Sequence, residues 1–370
     1  MIPVAIPSYY TSVLWWKSLM NIAKLLGITL LALTSRHSFA QVGDASLSPR
    51  QIPAKSLPVP TDVSPGMQAI IAAPLRAGWN DLWKTDKEWR AAANTAAAKT
   101  IETLPAMRER LHVTVKPSTI NSVRVFVVTP DVIPPEHRDK LLIHLHGGCY
   151  VLSPGEAGTS EAITMAGLGH FKVISVDYRM PPEAYFPGAL NDAMTVYQSV
   201  LKTSNPKNVA VFGTSAGGAL VLEMMLRAKQ LGLKMPGAIA PGTPMSDVTK
   251  TGDSFYTNEM VDNVLVSRDG FCDAATLVYA HGHDLKDPLL SPVYGDLHGF
   301  PPAILTTGTR DLLLSNTVRV HRKLRAAGIE AELEVYEGQS HAQYSRDDRL
   351  PETKEAFGEI TAFFDKHLGH

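Results

Sequence analysis

Short apolar runs alternate with helical stretches along most of this 370-residue chain, and that rhythm leaves few architectures open. Residues 141–145, 173–176, 209–212, 237–240, 302–307 and 331–336 are runs of four to six residues, several of them bounded by Gly or Pro. Residues 187–201, 215–230, 315–327 and 353–367 read as helices between or after them. A strand covered by helices on both faces needs no polar alternation, so it reads as a short continuous apolar run. Two earlier strands are expected at 111–115 and 123–128. The expectation is an α/β chain with a mostly parallel central sheet and helices on both faces. The interval 245–284 breaks the rhythm and reads as an insertion between two strands.

Composition adds exclusions. The chain is 45% hydrophobic and 19% charged, which is ordinary for a globular fold. A formal net charge of −1 supplies no field for nucleic acid or an anionic membrane. Near the N-terminus, Lys24 precedes an apolar run at 25–33, and Ser38-Phe39-Ala40 then offers small residues before Gln41. The run is short for a membrane span, and the pattern is that of a secretory signal cleaved after about Ala40, with Met20 as a second start. Periplasmic or secreted location follows as the expectation. An uncleaved anchor using 13–16 and 25–33 is the alternative, interrupted by Lys17, Asn21 and Lys24. Cys149 and Cys272 are the only cysteines. Their separation in sequence establishes no bridge, and two free thiols are expected.

Residues 41–65 are rich in Pro, Ser and Asp and read as an extended lead-in. From 69 to 110 the pattern turns helical. Leu75, Trp79, Leu82 and Trp83 fall at i, i+4, i+7 and i+8, which predicts one apolar helix face. Such a face serves core packing and a lid over a pocket equally well. The expected organisation is a signal at 1–40, lead-in and cap helices at 41–110, and a catalytic domain at 111–370 with a cap insertion at about 245–284.

The strongest local signal is Gly213-Thr214-Ser215-Ala216-Gly217, placed after a strand-like run and opening a helix. A nucleophilic serine must project from a tight strand-to-helix turn, and glycines remove the Cβ atoms where the chains crowd. The helix N-terminus adds N–H donors and a favourable dipole for developing negative charge. A second signal, His146-Gly147-Gly148-Cys149, follows the 141–145 run directly. Acyl transfer needs backbone donors around an oxyanion, and Gly147, Gly148 and Ala216 are the candidates. His146 is expected to brace that loop. A serine also needs a base, and the base an orienting carboxylate. Asp311 follows the 302–307 run and His341 follows the 331–336 run. Both stand past the carboxyl ends of strands, where open α/β sheets carry their sites. Ser215, His341 and Asp311 are therefore the candidate nucleophile, base and orienter.

At these residues the chain resembles the bacterial hormone-sensitive-lipase-like esterases, from about residue 111 to the C-terminus. The resemblance is carried by His146-Gly147-Gly148, Asp177-Tyr178-Arg179-Met180-Pro181-Pro182-Glu183, Pro187-Gly188-Ala189-Leu190-Asn191-Asp192, the 213–218 elbow and Asp287-Pro288-Leu289-Leu290-Ser291-Pro292. The elbow is similar to that of a branch with a Gly-Thr-Ser-Ala-Gly motif. The resemblance implies the α/β-hydrolase fold with a helical cap built from N-terminal helices and a mid-chain insertion. It implies hydrolysis of short-to-medium acyl esters, or of lactones, without cofactor or metal. It makes Arg179, Glu183 and Asp192 structural supports. The chain departs from the family at Cys149, where a third glycine is usual, after Asp311, where a second acidic residue is usual, and after His341, where Ala342-Gln343 replaces Gly and an aromatic residue.

Rival readings are weaker. His281-Gly282-His283-Asp284 hints at a metal site, but Leu285 and Lys286 occupy the positions where further ligands would be needed. His144 reads as a packed strand residue. An amidase or peptidase of the same fold, or a non-catalytic ligand-binding relative, remains open at this point. The expected partner is a small-molecule ester, with no nucleic acid and no stable membrane insertion once a signal is removed.

Overall fold

Eight strands form one sheet in the order β1-β2-β4-β3-β5-β6-β7-β8. The strands are β1 (Val113–Ile120), β2 (Val123–Pro130), β3 (Leu141–Leu145), β4 (Lys172–Val176), β5 (Val209–Thr214), β6 (Ala238–Gly242), β7 (Ala303–Gly308) and β8 (Ala331–Tyr336). β2 pairs antiparallel with β1 and with β4, and every other pairing is parallel. This is the α/β-hydrolase fold. The computed structural model describes residues 49–369. The residues from Leu57 onward make one compact unit. The expected signal segment at 1–40 lies outside the described residues. Among the described residues no helix is long and apolar enough to cross a membrane.

The helices are α1 (Pro65–Ile71), α2 (Asp86–Leu111), α3 (Ser160–Gly169), α4 (Gly188–Val200), α5 (Ala216–Gln230), α6 (Phe271–Ala280), α7 (Leu314–Ala326) and α8 (Pro351–His367). Period-two alternation sends neighbouring strand residues into different cores. Leu142, Ala210, Ala238 and Ile304 join the core under α2, α3 and α8. Ile143, Val211, Ile239 and Leu305 join the core under α4, α5 and α7. That two-sided burial is why the central strands read as unbroken apolar runs. α3 gave no helical signal because Ala162, Ile163, Thr164, Met165 and Ala166 are all buried, leaving no polar face to set a period.

Three expectations are corrected. The helical pattern expected from 69 to 110 is interrupted by an irregular segment, 72–85, between α1 and α2. Pro74 lacks the N–H a continuing helix needs, and Gly78 takes φ 71°. Leu75 and Leu82 are consequently exposed, at 39% and 57%, so they share no apolar face with Trp79 and Trp83. Trp83 packs edge-on against Trp89, with ring centroids 4.8 Å apart. α2 then starts afresh on a capping box between Thr85 and Glu88. Second, the strand expected at 111–115 begins at Val113, because His112 closes α2 in the left-handed region at φ 54°. Third, Cys149 and Cys272 are not free thiols: they form a disulfide across 123 positions of sequence. Sequence distance says nothing about spatial distance, and the fold brings their Cα atoms to 5.4 Å, within bonding range.

The long excursion between β6 and β7 contains α6 and a single helical turn, Ser254–Thr257. It is stitched to the segment after α1. The Phe271 amide donates to the Trp79 carbonyl at 2.7 Å, and the Arg76 amide donates to the Asn263 carbonyl at 2.9 Å. The Arg76 guanidinium lies 3.9 Å from the Phe271 ring centre.

Candidate active site

The parallel register aligns the carboxyl ends of six strands. Leu145 pairs with Val176, Thr214 with Gly242, and Gly308 with Tyr336. The next residues along three of these strands are His146, Ser215 and Thr243, and the loops after β7 and β8 carry Asp311 and His341.

Ser215 occupies the turn between β5 and α5 at φ 64°, ψ −122°. An L-residue adopts that conformation at a cost of about 1–3 kcal/mol, so the surroundings must hold it. They do so through the main chain. The Ser215 amide donates to the Gly242 carbonyl at 2.9 Å, and the Ser215 carbonyl accepts from the amides of Ala219 and Met245 at 3.0 and 3.1 Å. A side chain at Gly217 would collide with the Leu145 carbonyl, so only glycine lets β3 and α5 approach here.

The 146–150 loop lies against this turn: a Cβ built on Gly147 would sit 3.3 Å from the Ser215 Cβ. Gly148 has φ 118°, accessible to glycine alone. Cys149 and Tyr150 follow at φ 52° and 63°. Where the family's third glycine would adopt this conformation freely, Cys149 is held in it. The disulfide anchors one side, and the Tyr150 hydroxyl donates to Glu223 Oε1 at 2.8 Å on the other. The Tyr150 ring stacks on Tyr279, centroids 4.2 Å apart. Burial pushes the Glu223 carboxyl up to about 8, so it is protonated at neutral pH. His146 braces the loop. Its Nδ1 lies 2.8 Å from the Gly147 carbonyl, and the Tyr178 hydroxyl donates to the His146 carbonyl at 2.7 Å. Burial lowers the His146 ring to about 4, which keeps it neutral.

Asp311 and His341 meet in the interior. Asp311 is fully buried and His341 is 4% exposed. His341 Nδ1 lies 3.1 Å from Asp311 Oδ1, the geometry of a ring N–H donating to a carboxylate. The same oxygen accepts from the Leu313 amide at 2.7 Å. Asp311 Oδ2 accepts from the Thr307 hydroxyl at 3.1 Å and from the Thr243 hydroxyl. Thr243 Oγ1 also stands 3.3 Å from His341 Nδ1. Thr243 follows Gly242, whose carbonyl binds the Ser215 amide, so a single strand end connects the serine turn to the buried pair.

A family model described as α/β hydrolase fold matches residues 142–345, more than half of the chain. The chain belongs to the hormone-sensitive-lipase-like esterases of the α/β-hydrolase fold. It is similar to an esterase of Acinetobacter venetianus, 31% identical over 60% of this chain and 74% of the relative. An acetyl-hydrolase of Streptomyces hygroscopicus is 28% identical over 64% of this chain and 79% of that protein. Among solved structures, that of an esterase, E25, superposes with a TM-score of 0.84 at 45% identity, over 86% of this chain and 99% of that one. An esterase of the bacterial hormone-sensitive lipase family superposes at 0.66 and 26% identity, over 78% of this chain and all of that one. As a member of this family the chain is a serine carboxylesterase.

Within the esterase, other singled-out residues serve the frame. His144 contacts Ser175 Oγ at 2.9 Å and Glu161 Oε2 at 3.1 Å, a satisfied strand residue. Arg179 forks onto Asp192, with Nη2 to Oδ1 at 2.7 Å, and Glu183 pairs with Arg90 at 3.3 Å. His281 stacks on Tyr185 and His283 packs edge-on against Phe186. Sequence reasoning missed Thr243, Thr307 and a second buried carboxylate, Asp262. Thr243 carries one usable signal, its place directly after the strand beside β5. Thr307 and Asp262 carry none.

Proposed function

We propose that Ser215, His341 and Asp311 act as a triad that hydrolyses short-to-medium acyl esters through an acyl-enzyme. The observation that carries this reading is the buried Asp311–His341 pair, 3.1 Å apart, tied through Thr243 to the strand end that holds the Ser215 turn. Ser215 Oγ attacks the ester carbonyl carbon as its proton passes to His341 Nε2. Asp311 keeps the other ring nitrogen protonated and stabilises the imidazolium. The oxyanion is received by the amides of Gly147, Gly148 and Ala216, each such donor contributing about 3 kcal/mol. His341 then protonates the departing alkoxide, and water releases the acid by the same route.

A small, partly open and largely apolar cleft lies beside the acid loop, lined by Met245, Val248, Phe255, Leu265 and Leu313. It supports an apolar acyl or alcohol site of modest length. In this reading the cap comprises helices within 41–110 and the insertion at about 245–284, and the insertion supplies most of that lining. Export to the periplasm or medium also belongs to the proposal. The disulfide supports it, since such bonds persist in oxidising compartments.

The test is covalent labelling joined to turnover. A fluorophosphonate should modify wild type at Ser215, and Ser215→Ala should lose both labelling and ester hydrolysis while melting normally. Retained turnover in Ser215→Ala would refute the assignment.

A further inference from the structure

Asp262 lies on the excursion between β6 and β7 and is fully buried, yet no strand or helix holds it. Its carboxylate instead organises backbone. Oδ1 accepts from the amides of Val264 and Leu265 at 2.8 and 3.0 Å, which locks its own turn. Oδ2 accepts from the Leu312 amide at 2.8 Å and the His341 amide at 3.3 Å. Leu312 follows the proposed orienter, and His341 is the proposed base. One oxygen atom therefore bridges the loop after β7 to the loop after β8. Neighbouring residues reinforce the bridge without charge. Asn258 Nδ2 donates to the Asp311 carbonyl at 2.8 Å, and the Asn263 amide donates to Ser340 Oγ at 3.1 Å.

The charged groups facing this carboxylate are Asp311 and His341, with Arg346 beyond them and Arg76 facing Arg346. Burial and the Asp311 charge push the Asp262 carboxyl up, while His341 and the backbone donors hold it down. Both oxygens already accept two amides each, so a proton on either would meet no acceptor. That arrangement fits the ionised form.

We propose that Asp262 is a positioning residue whose carboxylate sets the spacing of Asp311 and His341 and whose charge favours the protonated ring. The proposal rests on the triad reading above. Unlike Thr243, Asp262 hydrogen-bonds neither the His341 ring nor the Asp311 carboxylate, so it acts through the main chain and through its field.

The experiment compares wild type with Asp262→Asn, Asp262→Ser and Asp262→Glu on a p-nitrophenyl ester, with rates divided by the fraction of chains a fluorophosphonate labels. Asp262→Ser preserves an acceptor for the local turn, so it carries the test if Asp262→Asn folds poorly. In both neutral variants kcat per labelled site should fall roughly ten- to a hundred-fold, as expected for a catalytic pair displaced by a fraction of an ångström to 1 Å. KM should stay within about two-fold, because no substrate contact is removed. The acid limb of the rate profile should move down by about one pH unit, since a negative charge that favoured imidazolium is gone. Asp262→Glu should hold the limb in place even where its reach lowers the rate. A per-site kcat near wild type, or a lower kcat with an unmoved limb in the neutral variants, overturns the proposal. Absence of labelling at Ser215 in wild type overturns the parent reading instead.

Discussion

Glu223 is a carboxyl group inside the core, and its tolerance has a pH price tag of its own. Its Oε1 accepts from Tyr150, and burial raises its titration to about 8. In an unfolded chain it would ionise near 4.3. The folded form therefore holds a proton that the unfolded form has lost between about 4.3 and 8. Stability from this group is fully present below that window and falls as pH rises through it. Glu223→Gln keeps an acceptor for Tyr150 and has no proton to lose. Thermal melts between pH 5 and 8 should show wild type declining and Glu223→Gln declining less; identical slopes would place the ionisation elsewhere. Because Tyr150 adjoins the Gly147–Gly148 loop, the same residue links stability to the geometry of the proposed oxyanion site.

At the level of elements, the disulfide replaces what a glycine would otherwise do. Gly147 and Gly148 approach the Ser215 turn, and Cys149 then departs from them in the left-handed region. The bond to Cys272 ties that departure to the first turn of α6, while Tyr150 stacks on Tyr279 two turns further along the same helix face. Closing a loop of 123 residues removes unfolded-state freedom worth about 2–4 kcal/mol in typical proteins. The Cys149→Ser, Cys272→Ser pair should therefore lose stability of that order in urea melts. It should also lose kcat, because the proposed oxyanion loop is freed. Unchanged kcat would show that Tyr150, Glu223 and His146 hold the loop unaided.

Across the whole molecule, the sheet acts as a ruler. Parallel register brings the ends of β3, β5, β6, β7 and β8 to one edge, and the loops leaving them converge. The excursion between β6 and β7 then does two things at once. Asp262, Asn258 and Asn263 brace the acid and histidine loops, while Met245, Val248, Phe255 and Leu265 line the apolar cleft. A small cleft with a largely apolar lining suits an acyl chain of limited length. With p-nitrophenyl esters of increasing chain length, kcat/KM should peak in the short-to-medium range and fall for the longest chains. A series still rising at the longest chain would mean that the cleft is not the acyl site.

What could be read from the chain alone was written in local constraints. Gly217 must be glycine because the Leu145 carbonyl leaves no space, and a Gly-x-Ser-x-Gly turn between strand and helix advertises that crowding. The two-faced burial of β3, β5, β6 and β7 shows as apolar runs, and loop order names Ser215, Asp311 and His341 as candidates. Other features depend on which distant residues meet. The break at 72–85 turned on Pro74 and Gly78 overriding an apolar spacing that a continuous helix would also have produced. The Cys149–Cys272 bond, the fourfold amide cradle of Asp262 and the Thr243 bridge each join loops from different strands. Residue type and spacing along the chain determine how a segment folds on itself. Which carboxylate faces which amide is decided only when the sheet sets those segments side by side.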